Sequence, residues 1–358
     1  MNYKETLFFV AKCLTISLEE KNRQEIEKQL KSKSIDWDAV VKVSAGHLVL
    51  PALYCNLKRT NFLQYLPKEL VSYMEHITNL NRARNEDIIT QAEELNTLLL
   101  ANNIRPIFLK GTGNLVAGLY EDIAERMVGD IDFIFSKEDY PKAIKVLENE
   151  KYYSELELVK FHWHYPRLVH INKIAAVEIH NKVLKQPYST ILSFEQINKE
   201  AVFFTNIKVA SSRNKLLNSV LPKQINDNLY HSKTIPLRTV YDVFLLLKNS
   251  TGVLPKTKVK KVDDRFNNFM GCVNFLLKVD YLNNFNETNS SRKYLTNYIS
   301  TLNKSKKEKL KIQILNTLVK VKDELNILRF SFTSKDYREY AMNRLTSITF
   351  YKRRFGIK

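Results

Sequence analysis

Along the first hundred residues apolar side chains recur at intervals of three and four, as at Leu70, Val71, Met74, Ile77 and Leu80, the period of helices that bury one face. Residues 3 to 100 are therefore expected to form successive amphipathic helices, punctuated by Pro51 and Pro67. The last, Asn79 to Asn102, carries a stripe of Ile88, Ile89, Ala92, Leu95, Leu98 and Leu99 suited to lie against a sheet. The texture then changes. Short β-branched and apolar runs at Ile104 to Leu109, Ile131 to Phe135, Arg167 to Ile171 and Ala175 to Ile179 predict strands. A helix from Asn114 to Tyr120 separates the first two, and Ser136 is placed to cap another from Glu138 to Glu150. Tyr152 to Leu158 is a further strand candidate, and Asn172-Lys173 is suited to turn the last pair into a hairpin. From about Phe194 helical texture returns, strongly apolar over Thr239 to Leu247, while 249–262, basic and carrying Gly252 and Pro255, reads as a loop. The pattern as a whole predicts an α+β chain in three parts: a helical region over 1–100, a sheet-bearing core over 101–205 and a helical domain over 206–358.

Composition sharpens this in three ways. With 358 residues, 44% hydrophobic and 11% aromatic, the chain can bury a sizeable core and is not of the disordered class. Cys13, Cys55 and Cys272 stand far apart with no Cys-x-x-Cys pair, which points to neither a disulfide framework nor structural zinc. The start lacks a basic segment leading into a long apolar stretch, and no run approaches eighteen apolar residues, so a soluble cytoplasmic protein without membrane contact is expected. Charge changes the picture most. Residues 1–205 hold 26 Lys+Arg against 27 Asp+Glu, whereas 206–358 hold 30 against 11, so essentially all of the net +18 lies in the C-terminal part. Such asymmetry suits a polyanion, whose neutralised phosphates release counterions; the alternative is a lysine-rich solvated helical surface.

The candidate chemistry lies in the core. Lys110-Gly111-Thr112 follows a strand and precedes a helix, and nineteen residues after Gly111 comes Asp130-Ile131-Asp132, opening an apolar run. Two carboxylates one residue apart on a strand share a face with roughly 6.5 Å between their Cα atoms, close enough to grip one or two divalent cations. Spacing alone is cheap, since Glu25/Glu27, Asp36/Asp38, Glu148/Glu150 and Glu155/Glu157 repeat it. Asp130 and Asp132 differ in that Ile131 and Phe133 would face the core and gather the acids at one strand end; the alternative is a strand-end cap or a surface ion pair. Glu178, in Ala-Val-Glu-Ile-His, could complete the cluster from a neighbouring strand with His180 on the same face, or pair instead with Lys173 or Lys182. Backbone N–H groups near Gly111 and the Thr112 hydroxyl are placed to meet a phosphate, but with Val116 where a dinucleotide fingerprint needs its third glycine and no Gly-Lys-Ser/Thr of a P-loop, Gly111 and Gly113 taken alone read as turn glycines. Arg126 is either a triphosphate clamp or an ion-pair partner of Glu121, Asp122 or Glu125. His162 and His164 flank Trp163 and read as hydrogen-bonded site-wall histidines in preference to zinc ligands, and His231, Arg238 and Asp242 either line the same cleft or form a buried polar network.

The ordered set Leu109-Lys110-Gly111, Arg126, Asp130-Ile131-Asp132, Glu178-Ile179-His180 and Leu237-Arg238-Thr239-Val240-Tyr241-Asp242 resembles a bacterial uncharacterised nucleotidyltransferase family, a branch of the polymerase-β-like superfamily, over residues of about 40 to 245. The resemblance implies a mixed sheet with flanking helices at 101–205 and catalysis by Asp130, Asp132 and Glu178, all three holding Mg²⁺ or Mn²⁺, two ions in all. An NTP would lie on Lys110, Gly111, Thr112, Gly113, Arg126 and His180. Gly111-Thr112 departs from the superfamily's usual Gly-Ser or Gly-Gly, and the span to the aspartates is longer. The expected reaction moves an NMP to an acceptor hydroxyl with release of pyrophosphate. The basic C-terminal half makes RNA, such as a tRNA 3′ end, or a growing oligonucleotide the leading acceptor. There the lysine run Lys304 to Lys311, and rings such as Phe330, Phe332, Tyr337, Tyr340, Phe350, Tyr351 and Phe355 among arginines and lysines, suit a nucleic-acid backbone and its bases. Nucleotidylation of a protein or small molecule and an inactive RNA-binding or antitoxin-like module are the competing readings.

Overall fold

The computed structural model describes residues 1–32, 34–154, 163–250, 254–279, 285–303 and 306–346. His162, the end of the Tyr152 to Leu158 strand candidate, and Phe350, Tyr351 and Phe355 lie outside the described residues.

The N-terminal part is helical, as its periodicity predicts: α1 (Tyr3–Cys13), α2 (Glu20–Lys31), α3 (Trp37–Gly46), α4 (Leu50–Arg59) and α5 (Lys68–Ala101). Both prolines mark helix starts, Pro51 inside the first turn of α4 and Pro67 at the cap of α5, where a missing N–H costs nothing. At 34 residues α5 is far longer than the segment expected from Asn79. Its buried side includes Ile88, Ala92, Leu95 and Leu99 from the predicted stripe but also Asn81, Asn85, Gln91 and Asn96. These amides bind backbone that would otherwise be orphaned. Gln91 exchanges two hydrogen bonds with Ala175, 2.9 and 3.0 Å, and Asn85 Nδ2 donates to the carbonyls of Ile123 (2.6 Å) and Arg126 (2.7 Å).

The middle of the chain runs β1 (Ile107–Phe108), α6 (Lys110–Val116), β2 (Asp130–Ile134), α7 (Asp139–Asn149), β3 (Ala176–His180), α8 (Phe194–Glu200), β4 (Val202–Phe204) and β5 (Ile207–Val209). The five strands form a mixed sheet in the order β3-β2-β1-β5-β4, so the chain is α+β as expected. β2 lies antiparallel to β1 and parallel to β3, and β1 lies parallel to β5. Several boundaries differ from the sequence pattern for physical reasons. The run Ile104 to Leu109 yields a strand of two residues, because Pro106 interrupts it and Lys110, at φ 47°, turns the chain into α6. That helix starts at Lys110 and not at Asn114, so Gly111 and Gly113 lie inside it; a Cβ at Gly113 would stand 2.8 Å from the Phe108 carbonyl. Both are close-packing glycines, not turn residues. Arg167 to Ile171 contributes only isolated bridges, Leu168 to Val177 and Val169 to Tyr153. The hairpin β4–β5, with Thr205 at φ 55° in its turn, stands where helical texture was expected. A boundary at 205/206 would cut through that turn, although both strands belong to the sheet.

Helices follow: α9 (Ser212–Ile225), α10 (Leu229–Ser232), α11 (Leu237–Lys248), α12 (Lys260–Leu277), α13 (Asn289–Leu302), α14 (Lys306–Ser331) and α15 (Lys335–Thr346). The buried apolar residues from α1 through α13 form one cluster, so the N-terminal helices, the sheet and α9 to α13 share a core. On α14, Leu310, Ile314, Leu318, Val321, Leu325 and Leu328 are exposed. Of the ring candidates, Phe332 is exposed and Phe330 packs on Tyr337 at 5.2 Å between centroids. No helix among the described residues is long and apolar enough to cross a membrane.

One buried charge bears on stability. Lys215, on α9, is 8% exposed, lies 5.5 Å from the Phe204 ring and has no ion pair among the described residues. Burial pushes its pKa down from 10.5 to about 8. Below pH 8 the folded and unfolded chains both carry this proton and folding bears the full desolvation cost. Between about 8 and 10.5 the folded chain sheds its proton first and the cost shrinks. Lys215→Met is expected to stabilise the protein by about 2 kcal/mol at pH 7, with the gap to wild type closing toward pH 10 in denaturant titrations. Equal stabilities at pH 7 would contradict this.

Candidate active site

The parallel register of β2 on β3 builds the site. Asp132 pairs with Glu178, Asp130 with Ala176 and Ile134 with His180. Because side chains alternate, Asp130, Asp132, Glu178 and His180 share one face, while Ile131, Phe133, Val177 and Ile179 are fully buried on the other. Asp132 is 1% exposed, and its Oδ1 accepts from His180 Nε2 at 2.9 Å and from Lys110 Nζ at 2.5 Å. Glu178 Oε2 lies 3.4 Å from Lys110 Nζ and 3.5 Å from His180 Nε2. One ligand atom each from Asp132, Glu178 and His180 fall within 4.8 Å of one another, a spacing that can hold a metal ion.

Electrostatics follow from the crowding. Burial pushes the Asp130 carboxyl up, the neighbouring Asp132 and Glu178 charges push further, and it reaches about 6. Burial opposes ionisation of Glu178 too, but its hydrogen bond to His180 and the Lys110 charge win and hold it well below the usual carboxylate range. Burial and Lys110 disfavour a charged His180, yet bonds to Asp132 and Glu178 outweigh them and raise its pKa. Lys110 is raised as well: burial works against its charge, and Asp132 and Glu178 overcome it. A divalent cation fits this set. Two convergent carboxylates and an imidazole supply hard and borderline donors, and the ammonium now between them marks where positive charge is wanted. Among the described residues His180 Nδ1 is buried without a hydrogen-bond partner.

The sequence-predicted residues fare differently. Asp132, Glu178, His180 and Lys110 are brought together. Asp130 shares their face and feels their charge but stands one pair further along the strand, outside the tight trio. His180 sits among the acids, on the face it was expected to share with Glu178. Thr112 is buried, and its hydroxyl donates to the Asp130 carbonyl at 2.9 Å, tying α6 to β2. Gly111 lines the cleft; a Cβ there would meet Val128 Cγ2 at 2.9 Å. Gly113 packs on β1. Arg126 also lines the cleft but is 8% exposed, its Nε bonded to both Asp242 oxygens at 3.0 and 3.1 Å, and Tyr120 adds a third bond to Asp242 at 2.7 Å. Its partner is therefore Asp242 on α11 and none of the three nearby acids. Of those, Glu125 pairs with Arg59 and Tyr241, and Asp122 with Arg82. Lys173 pairs with Glu94, leaving Glu178 to Lys110 and His180.

Lys110, Gly111, Arg126, Asp130, Asp132, Glu178 and His180 line a cleft of about 250 Å³ between the sheet and α9/α11. Trp163 and His164 form part of its wall, with the His164 ring 5.2 Å from that of His180. Asp242 and Arg238 line it as well, whereas His231 on α10 does not. Sequence reasoning passed over Asn218, Lys223 and Asn226 on and beside α9. The available signal was polar Asn218 inside the apolar stretch Leu216, Leu217, Val220, Leu221.

A mixed sheet with an acidic cluster on adjacent strands, opening to a cleft walled by helices, defines an α+β protein whose Asp132, Glu178 and His180 are spaced so that they could hold a metal ion. The chain belongs to the family described as uncharacterised nucleotidyltransferase, whose sequence model spans residues 33–267, from α3 to within α12. No curated protein and no solved structure matches the chain. The match covers every residue of the cluster and both walls of the cleft.

Titration of Mn²⁺ into the protein is expected to show binding that Asp132→Asn and Glu178→Gln each weaken by roughly tenfold or more, while Asp130→Asn weakens it less. Equal effects of the three substitutions would contradict the separation of Asp130 from the trio.

Proposed function

We propose that this protein is a metal-dependent nucleotidyltransferase that moves an NMP from an NTP to an acceptor hydroxyl and releases pyrophosphate. The observation that carries the reading is the in-register pairing of Asp132 with Glu178, with His180 beside them at a cleft floor, in a chain of a nucleotidyltransferase family. Asp132 and Glu178, with Asp130 adjoining, would hold Mg²⁺ or Mn²⁺, and the expected number of ions is two. Such ions supply charge neutralisation and alignment for the triphosphate. His180 fixes the orientation of both carboxylates through its Nε2. Lys110, one-third exposed, neutralises the acids at rest and would turn its ammonium to the triphosphate once a cation takes its place between them. An acceptor hydroxyl held beside Glu178 attacks the α-phosphate in line, its proton passing to a carboxylate of the cluster.

For the acceptor we favour RNA, because residues 206–358 hold 30 Lys+Arg against 11 Asp+Glu. A polyanionic acceptor makes transfer fall steeply with salt, whereas a protein side chain or small molecule does not.

Incubation with each α-labelled NTP, Mg²⁺ or Mn²⁺ and total cellular RNA is expected to label RNA. Asp132→Asn or Glu178→Gln should lower the rate by about three orders of magnitude. Label in protein or small molecules would move the acceptor elsewhere, and no metal-dependent turnover with any NTP would support an inactive module. Raising salt from 50 to 200 mM is expected to cut RNA labelling at least tenfold at sub-saturating RNA; a flat response would exclude a polyanionic acceptor.

A further inference from the structure

Two arginines, Arg126 and Arg238, line the cleft, and among the described residues Asp242 is the one acid bonded to either. Arg126 takes that acid: its Nε bonds both Asp242 oxygens and Tyr120 fills a further site on Oδ1. Arg238, one turn before Asp242 on α11, makes no ion pair among the described residues; its one hydrogen bond runs from Nη1 to the Met127 carbonyl at 3.1 Å. The same carbonyl accepts from Arg126 Nη1 at 2.7 Å, so Met127 fixes both guanidinium groups side by side. Arg238 is half-buried and lines the cleft with Lys110, Asp132 and Glu178. Burial and the Arg126 charge lower its pKa to about 10, Asp242 and Asp130 opposing them, so it is within electrostatic reach of the acidic cluster. A like-charged pair of arginines with one carboxylate leaves an excess positive charge at the wall of a partly enclosed cleft. Burial deprives that charge of part of its hydration, and a planar guanidinium suits phosphate oxygens.

We infer that Arg238 is the polyphosphate-binding group of this cleft, taking the terminal phosphates of an NTP or the pyrophosphate product, and that Arg126 is the positioning residue that holds Asp242 and Met127 in place behind it. This rests on the nucleotidyltransferase reading for the identity of the ligand, and it moves the triphosphate contact from Arg126, where the sequence suggested it, to α11.

The test is titration of inorganic tripolyphosphate into the full chain without divalent metal. Wild type is expected to bind. Arg238→Gln should weaken binding about tenfold or more, Arg238→Lys should recover part of the loss, and Asp132→Asn should bind at least as tightly as wild type because a like charge is gone. A measurement that needs no variant runs beside it: tripolyphosphate should slow dicarbonyl modification of Arg238 several-fold, read from the mass of its peptide. Wild type that binds no tripolyphosphate, Arg238→Gln within twofold of wild type, or unchanged modification of Arg238 would each overturn the inference. The two readings fail separately. Metal-dependent transfer with an unaffected Arg238→Gln sinks this inference alone, whereas Arg238-dependent tripolyphosphate binding in a protein that transfers nothing sinks the catalytic reading alone.

Discussion

The parallel pairing of β2 on β3 is the constraint on which the site depends. A slip of one residue on either strand would carry its acids to the apolar face and its core residues to the cleft. What holds the register is hydrophobic. Ile131, Phe133, Val177 and Ile179 have no exposed surface, and moving even two of them into the cleft would cost several kcal/mol. Gln91, from the long α5, grips the backbone of Ala175 one residue before β3 begins and pins the strand along its length. The carboxylates do not hold the sheet together; the sheet forces them together.

That compulsion has a counterpart in the surrounding charges. Asp132 and Glu178 are tolerated at the cleft floor because Lys110 and His180 face them, and Lys110 reaches them from a backbone in the left-handed region, a conformation that a non-glycine residue adopts at a cost of about 1 kcal/mol or more. The loop that carries Arg126 is held by Asn81 and Asn85 of α5 and by the Arg82–Asp122 pair, and Arg126 in turn holds Asp242. One helix thus fixes both the sheet edge and the charged wall opposite it. Polar groups buried in this way stabilise little by themselves; their effect is to fix the geometry, since leaving any one of them unpaired would be costly.

Much of this was legible in the sequence, and the limits are physical. The acid-x-acid pair at the start of an apolar run, the later Glu-x-His and the helical lead-in are all local patterns, and local alternation is enough to put Asp130, Asp132, Glu178 and His180 on strand faces. It cannot say which residues stand opposite each other. The register gave Glu178 to Asp132 and an alanine to Asp130, so the tight cluster contains His180 in place of the first aspartate. Thr112 looked like a phosphate donor but points back to the Asp130 carbonyl, because α6 begins at Lys110 and closes on β2. Arg126 had three acids within five residues, and its partner is 116 residues away. The β4–β5 hairpin went unseen because three-residue strands bordered by helices carry too short a period to detect.

The central claim is that Asp132 and Glu178 grip a divalent cation against the phosphates of a nucleotide, and crystals grown with Mn²⁺ and a non-hydrolysable NTP analogue test it most directly. The expected result is an anomalous scattering peak within coordination distance of both carboxylates, with the Lys110 ammonium withdrawn from between them. An ordered nucleotide in the cleft with no such peak and Lys110 still bridging the two acids would contradict the account.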